Sequence, residues 1–137
     1  MNTRLLSIII PVYNEINTIE KVLYKVDSVE LNSYDKQVIL VDDFSSDGTR
    51  EYLKELKGKR PDYTILFHIK NHGKGRAIRT GLKQVIGEYT LIQDADLEYD
   101  PNELNILLKP VNDGLADVVY SSRFIGGKPH RILFFLA

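Results

Sequence analysis

Leu6-Ser7-Ile8-Ile9-Ile10 is a short β-branched run closed by Pro11, and Val38-Ile39-Leu40-Val41 is a second continuous apolar run. Runs this short and this apolar read as strands buried on both faces. Between them Ile19, Val22, Leu23 and Val26 recur at helical spacing. Asn17 stands ahead of that stripe and Glu20 three residues further on, in the pattern of a capping box. The alternation continues outward. Ser46 or Asp47 caps a helix carrying Tyr52, Leu53 and Leu56, and Tyr63-Thr64-Ile65-Leu66-Phe67 is a third strand. Ala77, Ile78, Leu82 and Val85 mark a third helix, Tyr89-Thr90-Leu91-Ile92 a fourth strand. Asp100-Pro101 opens a fourth helix with proline at its first position, where the missing N–H costs nothing. Asp117-Val118-Val119-Tyr120 is a fifth strand. This order predicts an α/β fold, a mainly parallel sheet with helices on both faces. Ligands of such folds bind beyond the carboxyl ends of the strands.

Composition narrows the class. The 137 residues fit one domain, 1–137, and 43% apolar with 27% charged residues is an ordinary globular profile. Eighteen Lys and Arg against nineteen Asp and Glu leave a net charge of −1, which argues against a nucleic-acid partner. Without cysteine there is no disulfide scaffold, thiol nucleophile or thiolate-bound metal. No secretory signal is visible, and no apolar stretch reaches the roughly 18 residues of a membrane span. The chain stops inside the apolar run Ile132-Leu133-Phe134-Phe135-Leu136-Ala137, and is read as a piece of a longer protein.

Three of the expected strand ends carry polar chemistry: Pro11-Val12-Tyr13-Asn14-Glu15, Asp42-Asp43-Phe44-Ser45-Ser46-Asp47-Gly48-Thr49 and Asp94-Ala95-Asp96-Leu97-Glu98. In extended chain, positions two apart face the same side, so Asp94 and Asp96 aim at one spot and Glu98 joins them if the extension continues. Such close like charges invite a cation, and Mg²⁺ characteristically takes one or two carboxylates plus substrate phosphates. The competing reading is a solvated acidic loop before Pro101. Asp42 and Asp43 are either helix-capping turn residues or acceptors for a base or ribose. Tyr13 is either core or a stacking aromatic.

Asn71-His72-Gly73-Lys74-Gly75-Arg76 fits neither the P-loop nor the dinucleotide pattern. Five Lys or Arg and no acid fall between Lys70 and Lys83, and a helix start with Gly and Lys74 can hold an anion. Arg79 and Lys83 read as a solvated face, His72 as a loop residue and His68 as a packed strand residue. Arg123, ending the expected fifth strand, is placed to clamp a phosphate, with Arg131 beyond it; alternatively both neutralise the acidic crevice.

Taken together, these segments resemble the family 2 inverting glycosyltransferases of GT-A fold, a Rossmann-like nucleotide-diphospho-sugar transferase architecture. The dolichol- or polyprenyl-phosphate sugar synthases are the branch most similar, and the likeness runs from about Leu5 to Arg131. It implies that Pro11, Tyr13 and Glu15 line a nucleotide pocket, that Asp43 meets the base beside Val41, and that Asp94 and Ala95 touch the nucleotide. It implies that Asp96, with Asp94 and Glu98, binds Mg²⁺ or Mn²⁺ holding the diphosphate. Position 98 is often Gln in that branch, so Glu98 departs from the pattern. Lys74, Arg123 and Arg131 would meet phosphates, with Asp96 and Arg123 the catalytic pair. The implied partners are a GDP- or UDP-sugar donor and a lipid-phosphate or glycan acceptor. The implied setting is cytoplasmic, at the cytoplasmic face of a membrane with peripheral contact, the apolar tail from Ile132 beginning an interfacial helix. A lipid-phosphate acceptor is already anionic near neutral pH and needs no general base; a sugar hydroxyl needs one. Two other readings compete. A non-catalytic nucleotide-binding fragment predicts binding without transfer. A phospho-receiver module would place its Asp pair after the first strand and a Lys after the fifth, against the order seen here.

Overall fold

The computed structural model describes residues 3–97, 103–119 and 135–136. Among these residues nine elements follow in chain order: β1 (Arg4–Val12), α1 (Ile19–Ser28), β2 (Tyr34–Asp42), α2 (Thr49–Lys59), β3 (Thr64–Phe67), α3 (Lys74–Leu82), β4 (Tyr89–Ile92), α4 (Leu104–Asn112) and β5 (Phe135–Leu136). They form one sheet in the order β3-β2-β1-β4-β5. The first four strands are parallel, and β5 runs antiparallel to β4. The chain therefore winds outward from β1 through β2 to β3, then returns to add β4 on the other side of β1. That reversal is the switch point at which open α/β sheets bind ligands.

Strand parity builds the two faces. Leu6, Ile8, Ile10 and Val12 of β1 point into the larger core with Val22, Leu23, Leu53, Leu104 and Leu108. Ile9 points the other way, into a smaller cluster with Ile39, Val41 and Ala77 under α3. Helices cover both faces, as continuous apolar strands require.

Several sequence expectations change. Pro11 does not end β1 but lies within it, opposite Val41. The β1–β4 ladder stops at Ile9 opposite Ile92, and Pro11 faces that vacated side two residues on. Its absent N–H is therefore not missed. The first half of β2, Tyr34 to Gln37, is polar and invisible to an apolar-run criterion. The cap of α1 is Thr18 rather than Asn17, and that of α2 is Gly48, with Asp47 one residue earlier receiving the Thr49 amide. Residues 117–119 pair with no strand among the described residues, and Tyr120 lies outside these, as do Asp100 and Pro101. Among the described residues the fifth strand is Phe135–Leu136, inside the run expected to start an interfacial helix, where it pairs with Thr90 and Leu91 of β4.

Candidate functional site

A crevice of about 470 Å³ opens at the switch point. The end of β1 contributes Pro11, Val12, Tyr13 and Glu15, and the end of β2 contributes Asp43. The start of α3 contributes Asn71, Gly73, Lys74 and Ala77, and the turn after β4 contributes Asp94, Ala95 and Asp96. Asp94 and Asp96 both line this cavity, although the chain bends at Ala95 and Asp96 rather than continuing extended. Tyr13 stands half-exposed at its lip rather than in the core. Val41 does not line it; parity with Ile39 turns this side chain into the cluster under α3. Glu98, Arg123 and Arg131 lie outside the described residues.

The polar residues of the first two loops mostly fasten those loops to each other. The Asn14 amide donates to Ser45 Oγ (2.9 Å), and the Ser46 amide donates back to Asn14 Oδ1 (2.8 Å). The Glu15 amide donates to Thr49 Oγ1 and the Ile16 amide to Asp47 Oδ2. The Thr18 hydroxyl, 2.8 Å from the Ala95 carbonyl and 2.9 Å from Glu15 Oε2, ties the β1 loop to the turn after β4. Lys74 Nζ forms an ion pair with Asp94 Oδ1 across the crevice. Among the described residues, no three His, Asp or Glu side chains surround one point in a metal-holding arrangement.

Asp43 is the hub, and it is buried. Its Oδ1 accepts the His72 amide (2.9 Å) and stands 2.7 Å from His68 Nδ1; its Oδ2 accepts the Gly73 amide (2.8 Å). Gly73 sits at φ 92°, a conformation that favours glycine and turns its amide toward the carboxylate. Burial alone would raise the Asp43 pKa, but the bonds from His68, His72 and Gly73 outweigh it and hold the group below the usual carboxylate value. A depressed carboxylate adds stability above its unfolded pKa and loses it as pH falls through the lower folded value. Asp43→Asn is thus expected to melt earlier than wild type at pH 7, with the gap closing below about pH 4. Melting curves from pH 7 to pH 2 test this; a gap constant across that range would refute it.

Sequence reasoning missed two side chains behind the crevice. His68 follows the last residue of β3 rather than sitting inside the strand. Arg50 of α2 binds buried Asp42 (2.8 Å) and the His68 carbonyl (2.9 Å). A polar residue just past the carboxyl end of a strand was the available signal for His68; Arg50, on a charged helix, offered none.

The family model for glycosyl transferase family 2 matches residues 7–132. The chain belongs to glycosyl transferase family 2. It is 32% identical over 130 residues to a dolichol-phosphate mannosyltransferase of Pyrococcus furiosus, covering 94% of this chain and 36% of that protein. It is 33% identical over 119 residues to an undecaprenyl-phosphate 4-deoxy-4-formamido-L-arabinose transferase of Proteus mirabilis, covering 85% and 36%. The chain thus spans about a third of these relatives' length. A mannosyltransferase from Pyrobaculum calidifontis, solved with GDP-Man and Mn²⁺, superposes with a TM-score of 0.74 at 23% identity, over 98% of this chain and 45% of that one. Staphylococcus aureus TarS with UDP-GlcNAc superposes with a TM-score of 0.68 at 25% identity, over 82% and 32%. The family 2 chain has the GT-A fold of these neighbours, and no helix among its described residues is long and apolar enough to cross a membrane.

Proposed function

We propose that residues 1–137 belong to a single catalytic domain and form the donor-binding part of an inverting glycosyltransferase. It moves a sugar from GDP- or UDP-sugar to a polyprenyl or dolichyl phosphate at the cytoplasmic face of a membrane. The observation that carries this reading is the meeting of Asp43, Lys74, Asp94 and Asp96 in one crevice at the switch point. The names of the two relatives support the lipid-phosphate acceptor, and the GDP-Man and Mn²⁺ of the Pyrobaculum neighbour support the donor class and the metal.

Each residue has a role that its chemistry fits. Ionised Asp43 has three acceptor positions filled by described residues, which leaves one on Oδ2. It only accepts, so it suits an N–H donor, which the pairing edges of guanine and uracil carry, or a ribose hydroxyl. Tyr13 offers a ring face to a base. Asp94 and Asp96 are a hard-oxygen donor set suited to Mg²⁺ or Mn²⁺ shared with phosphate oxygens, and Glu98 would extend it. When bound, such a cation supplies charge stabilisation for the departing nucleoside diphosphate. Lys74, leaving Asp94 for a phosphate, adds to that stabilisation, and Arg123 and Arg131 are the further phosphate cations. A lipid phosphate attacking the anomeric carbon from the opposite face inverts its configuration without a base to activate it.

The test is thermal unfolding with GDP and UDP, each with Mg²⁺, Mn²⁺ or EDTA, on the chain and on Asp96→Asn. A nucleotide at 100 times its Kd stabilises by about 2.7 kcal/mol, a Tm rise of roughly 8–13 °C at this size. A metal-dependent rise with one nucleotide, lost in Asp96→Asn, is expected. No rise with either nucleotide would overturn the reading.

A further inference from the structure

His68 lines no part of the crevice, yet every polar group it has is engaged. Its amide donates to the Asp42 carbonyl (2.8 Å), and its carbonyl accepts from Arg50. Nδ1 faces Asp43 Oδ1, and Nε2 stands 2.8 Å from Thr80 Oγ1 on α3. Because ionised Asp43 only accepts, the proton on that side resides on Nδ1. Thr80 serves the other nitrogen in either state: its hydroxyl donates to a bare Nε2, or accepts from a protonated one and donates to the Arg76 carbonyl, 3.0 Å away. A ring needed only to fill space would require none of these partners.

We propose that His68 is a positioning residue for the crevice: through Nδ1 it fixes the Asp43 carboxylate, and through Asp43 it fixes the His72 and Gly73 amides that begin the α3 wall. Of the three donors on Asp43, two are amides of the loop being positioned, so they cannot also anchor the carboxylate. His68 is the anchor, itself pinned to β2, α2 and α3. With Oδ1 saturated, the remaining acceptor position of Oδ2 keeps one direction. This inference rests on the donor-site reading for its consequence in binding, but not for the local geometry.

Three variants separate positioning from packing. The Asn amide nitrogen overlays Nδ1 and can donate to Asp43; the Gln nitrogen overlays Nε2 and reaches toward Thr80; Leu offers neither. Calorimetric titration with GDP and with UDP in Mn²⁺, well below each variant's Tm, is expected to show His68→Leu and His68→Gln weakened at least about tenfold and His68→Asn within about threefold of wild type, the scale on which outer partners tune a site. Hydrogen exchange at the His72 and Gly73 amides, measured without ligand, is expected to accelerate in the Leu and Gln variants only. Equal losses in all three variants, unchanged affinity despite faster exchange, or unchanged exchange would each overturn the proposal. If wild type binds neither nucleotide, the donor-site reading fails, and the exchange pattern alone then decides whether His68 holds Asp43.

Discussion

Arg50→Leu is expected to cost about 3–5 kcal/mol of folding stability, the penalty of stranding one member of a buried ion pair. Asp42, at the end of β2, is fully buried. Its Oδ2 has the Arg50 guanidinium at 2.8 Å and the Ser45 amide at 3.3 Å, and its Oδ1 has no hydrogen-bond partner among the described residues. With Arg50 gone, a carboxylate held by one long bond remains in a low-dielectric interior. The loss extends beyond charge. The guanidinium lies 5.1 Å from the Phe67 ring centre and 5.5 Å from that of Phe44, and it holds the His68 carbonyl. Against a total stability of about 5–15 kcal/mol, the loss removes roughly a fifth or more. Tm is expected to fall by about 10–25 °C. Asp42→Asn added to Arg50→Leu is expected to recover part of that fall, because the stranded charge is then absent. A Tm within about 3 °C of wild type for Arg50→Leu alone, under 1 kcal/mol at this size, would mean the pair is solvated and the argument fails.

How this pair went unread shows what a sequence pattern can carry. Apolar runs and helical stripes are local, so β1, the core of β2, β4 and the stripes of α1 and α4 were legible. The strand-end rule then converted topology into a site. Pro11, Tyr13, Glu15, Asp43, Lys74, Asp94, Ala95 and Asp96 all line the crevice that it pointed to. What failed was non-local. Residues 117–119 and 135–136 are equally good strand formers, and among the described residues only pairing against β4 distinguishes them. Asp43 and His68 stand 25 positions apart and meet because β2 and β3 are neighbours in the sheet. Motif reading assigned the Asn14–Glu15 and Ser45–Thr49 segments to a ligand or to turns. The structure spends their polar atoms on joining the two loops, which is how backbone on two separate crossovers becomes one rigid rim. Phe44 sits in that rim at φ 67°, where a side chain is strained, with Arg50 near its ring.

The same substitution, glycine to alanine, is expected to act in opposite directions at two positions. A Cβ on Gly87 would stand 2.6 Å from Ser7 Oγ, 2.7 Å from the Ser7 nitrogen and 2.8 Å from the Leu5 carbonyl oxygen. Two of those atoms are backbone of the central strand and cannot swing aside. The approach is close because the Gly87 amide donates to Ser7 Oγ and the Glu88 amide to the Leu5 carbonyl, which sets the start of β4 against β1. Gln37 completes the clasp, accepting from Ser7 and from the Ile86 amide. Gly87→Ala must push β4 away from this clasp, and a cost of about 3 kcal/mol is expected, at the upper end of overpacking because backbone has to move. Since β4 delivers Asp94 and Asp96 to the crevice, nucleotide and metal binding should weaken with it. Gly58, near the end of α2, has nothing within 4 Å of its would-be Cβ, and Gly58→Ala should gain up to about 1 kcal/mol from helix propensity alone. Urea midpoints of the two variants are the measurement. A Gly87→Ala protein as stable as wild type would mean that β4 does not enter the sheet through this clasp, and the placement of the two carboxylates would lose its mechanical basis.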